Sequence, residues 1–137
     1  MKTVIEKNSE AYHLGIDNMD RTHDEFVDLV NRLANADTAD FIRLFAALVS
    51  HTEMHFNLEN TLMRESAFAA SGEHTAEHTR VLTDLKRLNE QVKRGSVMLS
   101  RAFVAENIPE WFALHARTMD AALATHLKTR EAAKAAV

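Results

Sequence analysis

The sequence predicts an all-α fold, an up-down-up-down antiparallel four-helix bundle preceded by an irregular N-terminal arm. Three observations carry this expectation. Apolar residues recur at helical spacing in four segments separated by short polar breaks. Ala, Leu, Glu, Lys and Arg are plentiful, whereas the 137 residues hold only three Gly and one Pro, a composition that favours helix over strand and turn. The breaks between segments are short, and helices joined by short loops pack economically against their sequence neighbours. At this length residues 1–137 form one domain with a single core.

Each element follows in order. Residues 1–16 read as an arm that ends near Gly15. The first helix runs from about Asp17 to Ala34, with Met19, Phe26, Val30 and Leu33 at helical spacing. The break NADTAD offers Asp37 or Thr38 as an N-cap. The second helix, about 39–65, has the inner stripe Phe41, Leu44, Phe45, Leu48, Thr52, His55, Glu59 and Leu62. Positions four apart on a helix differ by only about 40°, so His55 and Glu59 continue the stripe that Phe41 and Leu48 begin.

After AFAASG, with Ser71 as the expected cap, the third helix spans about 72–93. Its stripe is His74, His78, Val81, Leu82, Leu85 and Leu88, and Gly95 closes it. The main body of the fourth helix is placed at about 108–128, with Trp111, Phe112, His115, Met119, Leu123 and Leu127 inward. The preceding VMLSRAFVAEN is also helical in pattern, and Pro109 must kink or restart the helix because it cannot donate. The polar, alanine-rich tail 129–137 is expected to fray.

Composition excludes several functions. With no Cys there is no disulfide scaffold, thiolate metal site or thiol catalysis. A net charge of −4 gives no drive toward nucleic acid. No apolar run is long enough to span a membrane, and MKTVIEKNSEAY lacks the apolar core of a signal peptide. The expectation is a soluble, cytoplasmic protein.

Eight His in a chain with one Tyr and one Trp is a biased composition. His23, His55, Glu59, His74, His78, His115 and Asp120 lie on or beside the apolar faces, and every helix contributes at least one. A single His on such a face is usually a hydrogen-bonded core or boundary residue. An isolated i,i+4 pair is often an exposed contact worth about 0.2–0.5 kcal/mol. That reading would have to hold independently on four helices, and buried ionised carboxylates without partners cost several kcal/mol each. A bound cation removes the difficulty by turning the histidines into ligands and the carboxylates into counter-charges. Seven ligands are too many for one transition ion, so two ions sharing the carboxylates is the natural count. Imidazole and carboxylate without sulfur suit Fe, Mn, Zn or Ni. An odd number of His leaves one ion short of a ligand, where a small molecule could bind.

The segments GIDNMDRTH, HTEMHFNLEN, HTAEH and WFALHARTMD, in this order and spacing, resemble those of the single-domain bacterial hemerythrins over nearly the whole chain. The resemblance implies a non-haem di-iron centre with an oxo or hydroxo bridge and reversible O2 binding, as carrier, store or local supply. It implies that His74, His78 and His115 hold one iron, that His23 and His55 hold the other, and that Glu59 and Asp120 bridge them. O2 would enter at the two-histidine iron, within an apolar lining for which Leu48, Phe56, Leu114 and Met119 are candidates. The alternatives are an O2 or redox sensor, or a di-iron enzyme acting on O2, peroxide or nitric oxide. A ferritin-like enzyme site needs two Glu-x-x-His pairs, and the single one here, Glu10 to His13, lies in the arm. The expectation is therefore a binding protein rather than an enzyme. The chain departs from the family in reading EKNSEAY where an arm Trp is common and AFAAS where Tyr-Pro is common. His13 and His126 are expected at the surface and Glu53 toward solvent. His51, one turn from His55, matches no ligand position.

Overall fold

The computed structural model describes residues 2–135. Helix α1 spans Asp17–Ala34, α2 Thr38–Glu65 and α3 Ser71–Lys93. The fourth arm of the bundle is a continuous run of helical backbone with two π turns in it. It comprises α4 (Met98–Ala102), a π segment Phe103–Asn107, α5 (Ile108–His115), a second π segment Ala116–Asp120, and α6 (Ala121–Ala135). Sequence neighbours pack together, α1 on α2, α2 on α3 and α3 on α4, and the first π segment closes the ring against α1. This is the expected all-α four-helix bundle; there is no strand among the described residues.

The helix ends follow local chemistry. Asp37 caps α2, its carboxylate accepting the Asp40 N–H at 2.9 Å, a contact worth about 1 kcal/mol. Ser71 is not a cap: it is the first residue of α3, and Ala70 holds the cap position. The turn before it is closed by backbone, with Phe68 N–H donating to Met63 O at 3.0 Å and Ser71 N–H to Phe68 O at 3.1 Å. Ala67 takes the left-handed conformation there, φ +53°. At the end of α3, Gly95 adopts φ +87°, and Ser96 N–H reaches back to Gln91 O at 3.1 Å, as expected of a helix-closing glycine.

The fourth arm begins ten residues before the predicted main body, at Met98 rather than 108. Pro109 neither breaks nor restarts it. Ile108 N–H bonds five residues back to Phe103 O, so the missing Pro donor falls where the ladder changes from π to α spacing. Residues 129–135, expected to fray, continue α6 as exposed helix; residues 136–137 of that expected tail lie outside the described residues.

The arm packs without a Trp. Asn31 accepts the N–H groups of Val4 and Ile5 at 2.8 and 3.1 Å and donates to Ile5 O at 2.9 Å. One amide side chain thus reproduces the pairing a neighbouring strand would give. Tyr12 is buried and donates its hydroxyl to Glu6 O at 2.6 Å.

The apolar interior has two parts. The larger cluster includes Phe26, Val30, Phe41, Phe45, Leu48, Phe56, Leu85 and Phe112. The smaller has four buried members among the described residues, Met19, Met63, Leu123 and Ala124. Along each contributing helix a polar residue separates the two: His23 between Met19 and Phe26, Glu59 between Phe56 and Met63, Asp120 between Ala116 and Leu123.

Candidate metal centre

His23, His55, Glu59, His74, His78, His115 and Asp120 are all buried, none more than 4% exposed. The structure brings the seven into one cluster between the two apolar compartments. Glu59 Oε1 faces His78 Nε2 at 3.1 Å and His74 Nε2 at 3.4 Å. Its other oxygen faces His55 Nε2 at 2.7 Å and His23 Nε2 at 3.8 Å. Asp120 divides in the same way, Oδ1 toward His74 and His115 at 3.0 and 3.1 Å, and Oδ2 toward His23 at 2.9 Å. Each carboxylate therefore turns one oxygen to imidazoles drawn from His74, His78 and His115 and the other to His23, and that second oxygen of Glu59 also faces His55.

Helix geometry explains how each residue arrives. His55 and Glu59, like His74 and His78, are four apart and share a helical face. His115 and Asp120 are five apart, which on an α-helix places them about 140° from each other. The π segment Ala116–Asp120 lets one extra residue into that turn, which returns Asp120 to the face of His115.

Electrostatics and hydrogen bonding test whether cations fit. Burial alone would raise the carboxyls of Glu59 and Asp120, but the surrounding imidazoles hold both well below the usual carboxylate range. Two anions are therefore buried together. Burial disfavours a charged His74, yet Asp120 and Glu59 outweigh it and lift that ring to about 9; the same two carboxylates raise His23 against its burial. Burial pushes His78 down, so its ring is neutral.

His78 Nδ1–H donates to Asn60 Oδ1 and His23 Nδ1–H to the Tyr12 carbonyl, both at 2.8 Å. An amide or carbonyl oxygen only accepts, so both rings carry a proton on Nδ1, and the His78 ring, which burial keeps neutral, holds its lone pair on Nε2. For His78 that lone pair looks straight at Glu59 Oε1, an acceptor facing an acceptor. Nε2 of His74, His78 and His115, with Glu59 Oε1 and Asp120 Oδ1, are buried without a hydrogen-bond partner among the described residues. Converging lone pairs on buried anions and imidazoles are what a cation site requires, and the ligand atoms lie within 4.8 Å of one another in two groups that share Glu59.

The wall around the cluster is aromatic. Phe56 stacks flat on His78, centroids 3.9 Å apart, and Trp111 stacks on His115 at 4.6 Å. Phe112 meets His23 edge-on at 5.4 Å and Phe26 meets His55 at 6.5 Å. Sequence reasoning missed Phe26 and Phe112 as neighbours of the site, although each sits three residues from a cluster histidine, a spacing that puts them on one face. Of the four predicted lining residues, Phe56 touches the cluster and Leu48 is wholly buried in the larger apolar compartment. Met119 is half-buried and lines a cavity of ≈ 220 Å³ beside His74. Leu114 is corrected: it is 54% exposed, because the residue preceding His115 is turned about 100° away from it.

The other histidines lie outside the cluster. His51 is half-buried, its Nε2 3.2 Å from Glu25 Oε1 and its ring 6.1 Å from that of His55. Burial lowers its pKa. His13 is half-buried and pairs with Asp24 at 2.6 Å. His126, expected at the surface, is also half-buried and bonds Ser66 O at 2.8 Å, tying α6 to the end of α2. Glu53 is exposed and pairs with Lys86.

Residues 14–131 match the family model described as the Hemerythrin HHE cation binding domain. A protein named Bacteriohemerythrin from Ralstonia nicotianae is 38% identical over 122 residues, covering 89% of this chain and 88% of the relative.

Proposed function

Because the chain belongs to the hemerythrin family and carries a buried His/Glu/Asp site fit for metal, we propose that it holds two iron ions with an oxo or hydroxo bridge and binds O2 reversibly. The observation that carries this reading is the division of both buried carboxylates between a three-imidazole and a two-imidazole group. In this reading His74, His78 and His115 hold one ion, His23 and His55 the other, and Glu59 and Asp120 span both. The two-histidine side is then one ligand short, and O2 is placed there. When bound, the iron pair would supply the electrons that O2 takes up on binding and returns on release.

The chain's own residues do the rest. Tyr12 and Asn60 orient two of the rings through their Nδ1–H groups. The seven ligand side chains are projected from helices held in register by the bundle, which favours a fixed geometry. Phe26 and Phe112 beside His55 and His23 keep the two-histidine side apolar, and a dry pocket disfavours escape of charged oxygen species into water. The reading is of a binding protein, not an enzyme. No helix among the described residues is long and apolar enough to cross a membrane.

The test is a metal assay joined to optical spectra of the anaerobically reduced protein before and after air. Two irons per chain and a charge-transfer band that appears with O2 and disappears on its removal are expected. Immediate irreversible oxidation with no oxygenated form would shift the assignment to a sensor or enzyme. Protein grown with iron yet free of metal would end it.

A further inference from the structure

Asn60 stands next to Glu59 on α2 and belongs to neither group of candidate ligands. Its amide oxygen nevertheless accepts two donors from α3: His78 Nδ1–H at 2.8 Å and the Thr75 hydroxyl at 3.4 Å. We propose that Asn60 is the positioning residue of the three-histidine side, fixing His78 in the tautomer that presents an Nε2 lone pair to an ion. The inference rests on the metal reading above and deepens it.

One protonation state of His78 competes with metal. Were the His78 proton on Nε2, it would donate to Glu59 Oε1 across the 3.1 Å that separates them. Imidazole and carboxylate would then satisfy each other, and the site would close on itself with no ion. Asn60 disfavours that state, because Nδ1 would then face the amide oxygen with a lone pair of its own. In the orientation the structure shows, the Thr75 hydroxyl and the His78 ring converge on the amide oxygen, which can accept both. His55, His74 and His115 differ: their Nδ1 atoms are buried without a hydrogen-bond partner among the described residues, so no described side chain fixes their tautomers in this way. The partner is also neutral. An Asp here would fix the same tautomer but set a third carboxylate beside Glu59 and Asp120.

The experiment compares the full chain with Asn60→Leu and Asn60→Asp. Metal-free protein is titrated with Co2+ alone against a chelator, and the ring nitrogens of His78 are read by NMR in the metal-free state. Asn60→Leu is expected to lose about 10–100-fold in affinity for one of two Co2+ ions, the range for removing a hydrogen-bond partner of a ligating imidazole. Asn60→Asp should keep that affinity. The NMR should show the proton on Nδ1 in the unaltered protein and a shift toward Nε2 in Asn60→Leu. Thr75→Val supplies a variant that leaves the amide in place and should lose less than Asn60→Leu. Full Co2+ affinity in Asn60→Leu, no rescue by Asp, or an Nε2–H tautomer in the unaltered protein would each overturn the proposal. Failure of the unaltered chain to bind Co2+ would instead strike the metal reading, with the tautomer still deciding the role of Asn60.

Discussion

Replacing Asn31 with Ala should unfasten the N-terminal arm and, through it, one wall of the metal centre. The side chain accepts from Val4 and Ile5 and donates to Ile5 O, three hydrogen bonds from one buried amide. Each is worth about 1 kcal/mol net, and shared geometry makes them less than additive, so the expected loss is about 2–3 kcal/mol. For a domain of this size that corresponds to a fall in Tm of about 7–10 °C. The arm also carries Tyr12, whose carbonyl holds His23 Nδ1 and whose ring packs on Phe112 at 5.4 Å. On the proposed two-ion assignment, loosening it should weaken metal binding at His23 and His55 more than at His74, His78 and His115. Asn31→Asp keeps both acceptor contacts and loses the donor to Ile5 O, so its deficit should be smaller. The assay is thermal and urea unfolding of metal-free protein, with hydrogen exchange at Val4 and Ile5. A Tm within about 2 °C of the unaltered protein together with unchanged protection of those amides would refute the account, since three bonds of this kind cannot be removed at that cost.

Three further outcomes are expected. His74→Ala should cost far more bound metal than His51→Ala, because His74 faces both buried carboxylates and His51 faces only Glu25; equal retention measured by elemental analysis would contradict the ligand assignment. Phe112→Ala should destabilise metal-free protein by about 3–5 kcal/mol in urea unfolding through the cavity it leaves, since the ring is 2% exposed and touches Tyr12, His23 and Phe26. In the metal-free protein His74 is raised to about 9, above its unfolded value of about 6.5. Its contribution to stability is thus fully present below about 6.5 and lost as pH rises through 9. Metal competes with that proton, so loading at pH 7 should release protons to an indicator dye, and affinity should climb with pH over the same interval. An affinity flat from pH 6.5 to 9 would count against a protonated His74.

Much of this was legible because helical periodicity is a local signal. Met19, Phe26, Val30 and Leu33, or Phe41, Leu44, Phe45 and Leu48, declare a buried face without reference to any other helix, and all eight are buried. The polar members of those stripes were readable for the same reason, and the structure places them together. Less visible were features that depend on two elements meeting. Nothing in Asn60 or in the backbone of Tyr12 announces that a ring on another helix will turn toward it. The error at Leu114 came from treating a neighbour in sequence as a neighbour in space. The second π segment did leave a trace: His115 and Asp120 at a separation of five cannot share an α-helical face, so placing both at one site already required an irregular turn. The first π segment left only Pro109 as its sign. Ser71 failed as a cap because the turn before it satisfies its own backbone groups, leaving the hydroxyl no task there.

The division of the interior by the polar cluster has a consequence for how the molecule comes apart. The end built on Met19, Met63, Leu123 and Ala124 has too few apolar side chains to stand as an independent core. It is joined to the larger compartment across a layer of imidazoles and carboxylates that, without cations, holds facing lone pairs. On the proposed reading, bound ions act as the mortar between a thick masonry and a thin one. Stripped of them, the thin end, with the Phe68 turn and the length of α6 tied to it through His126, is the part that should breathe first. An empty protein would thereby expose the very histidines that must be refilled, while its other end stays folded.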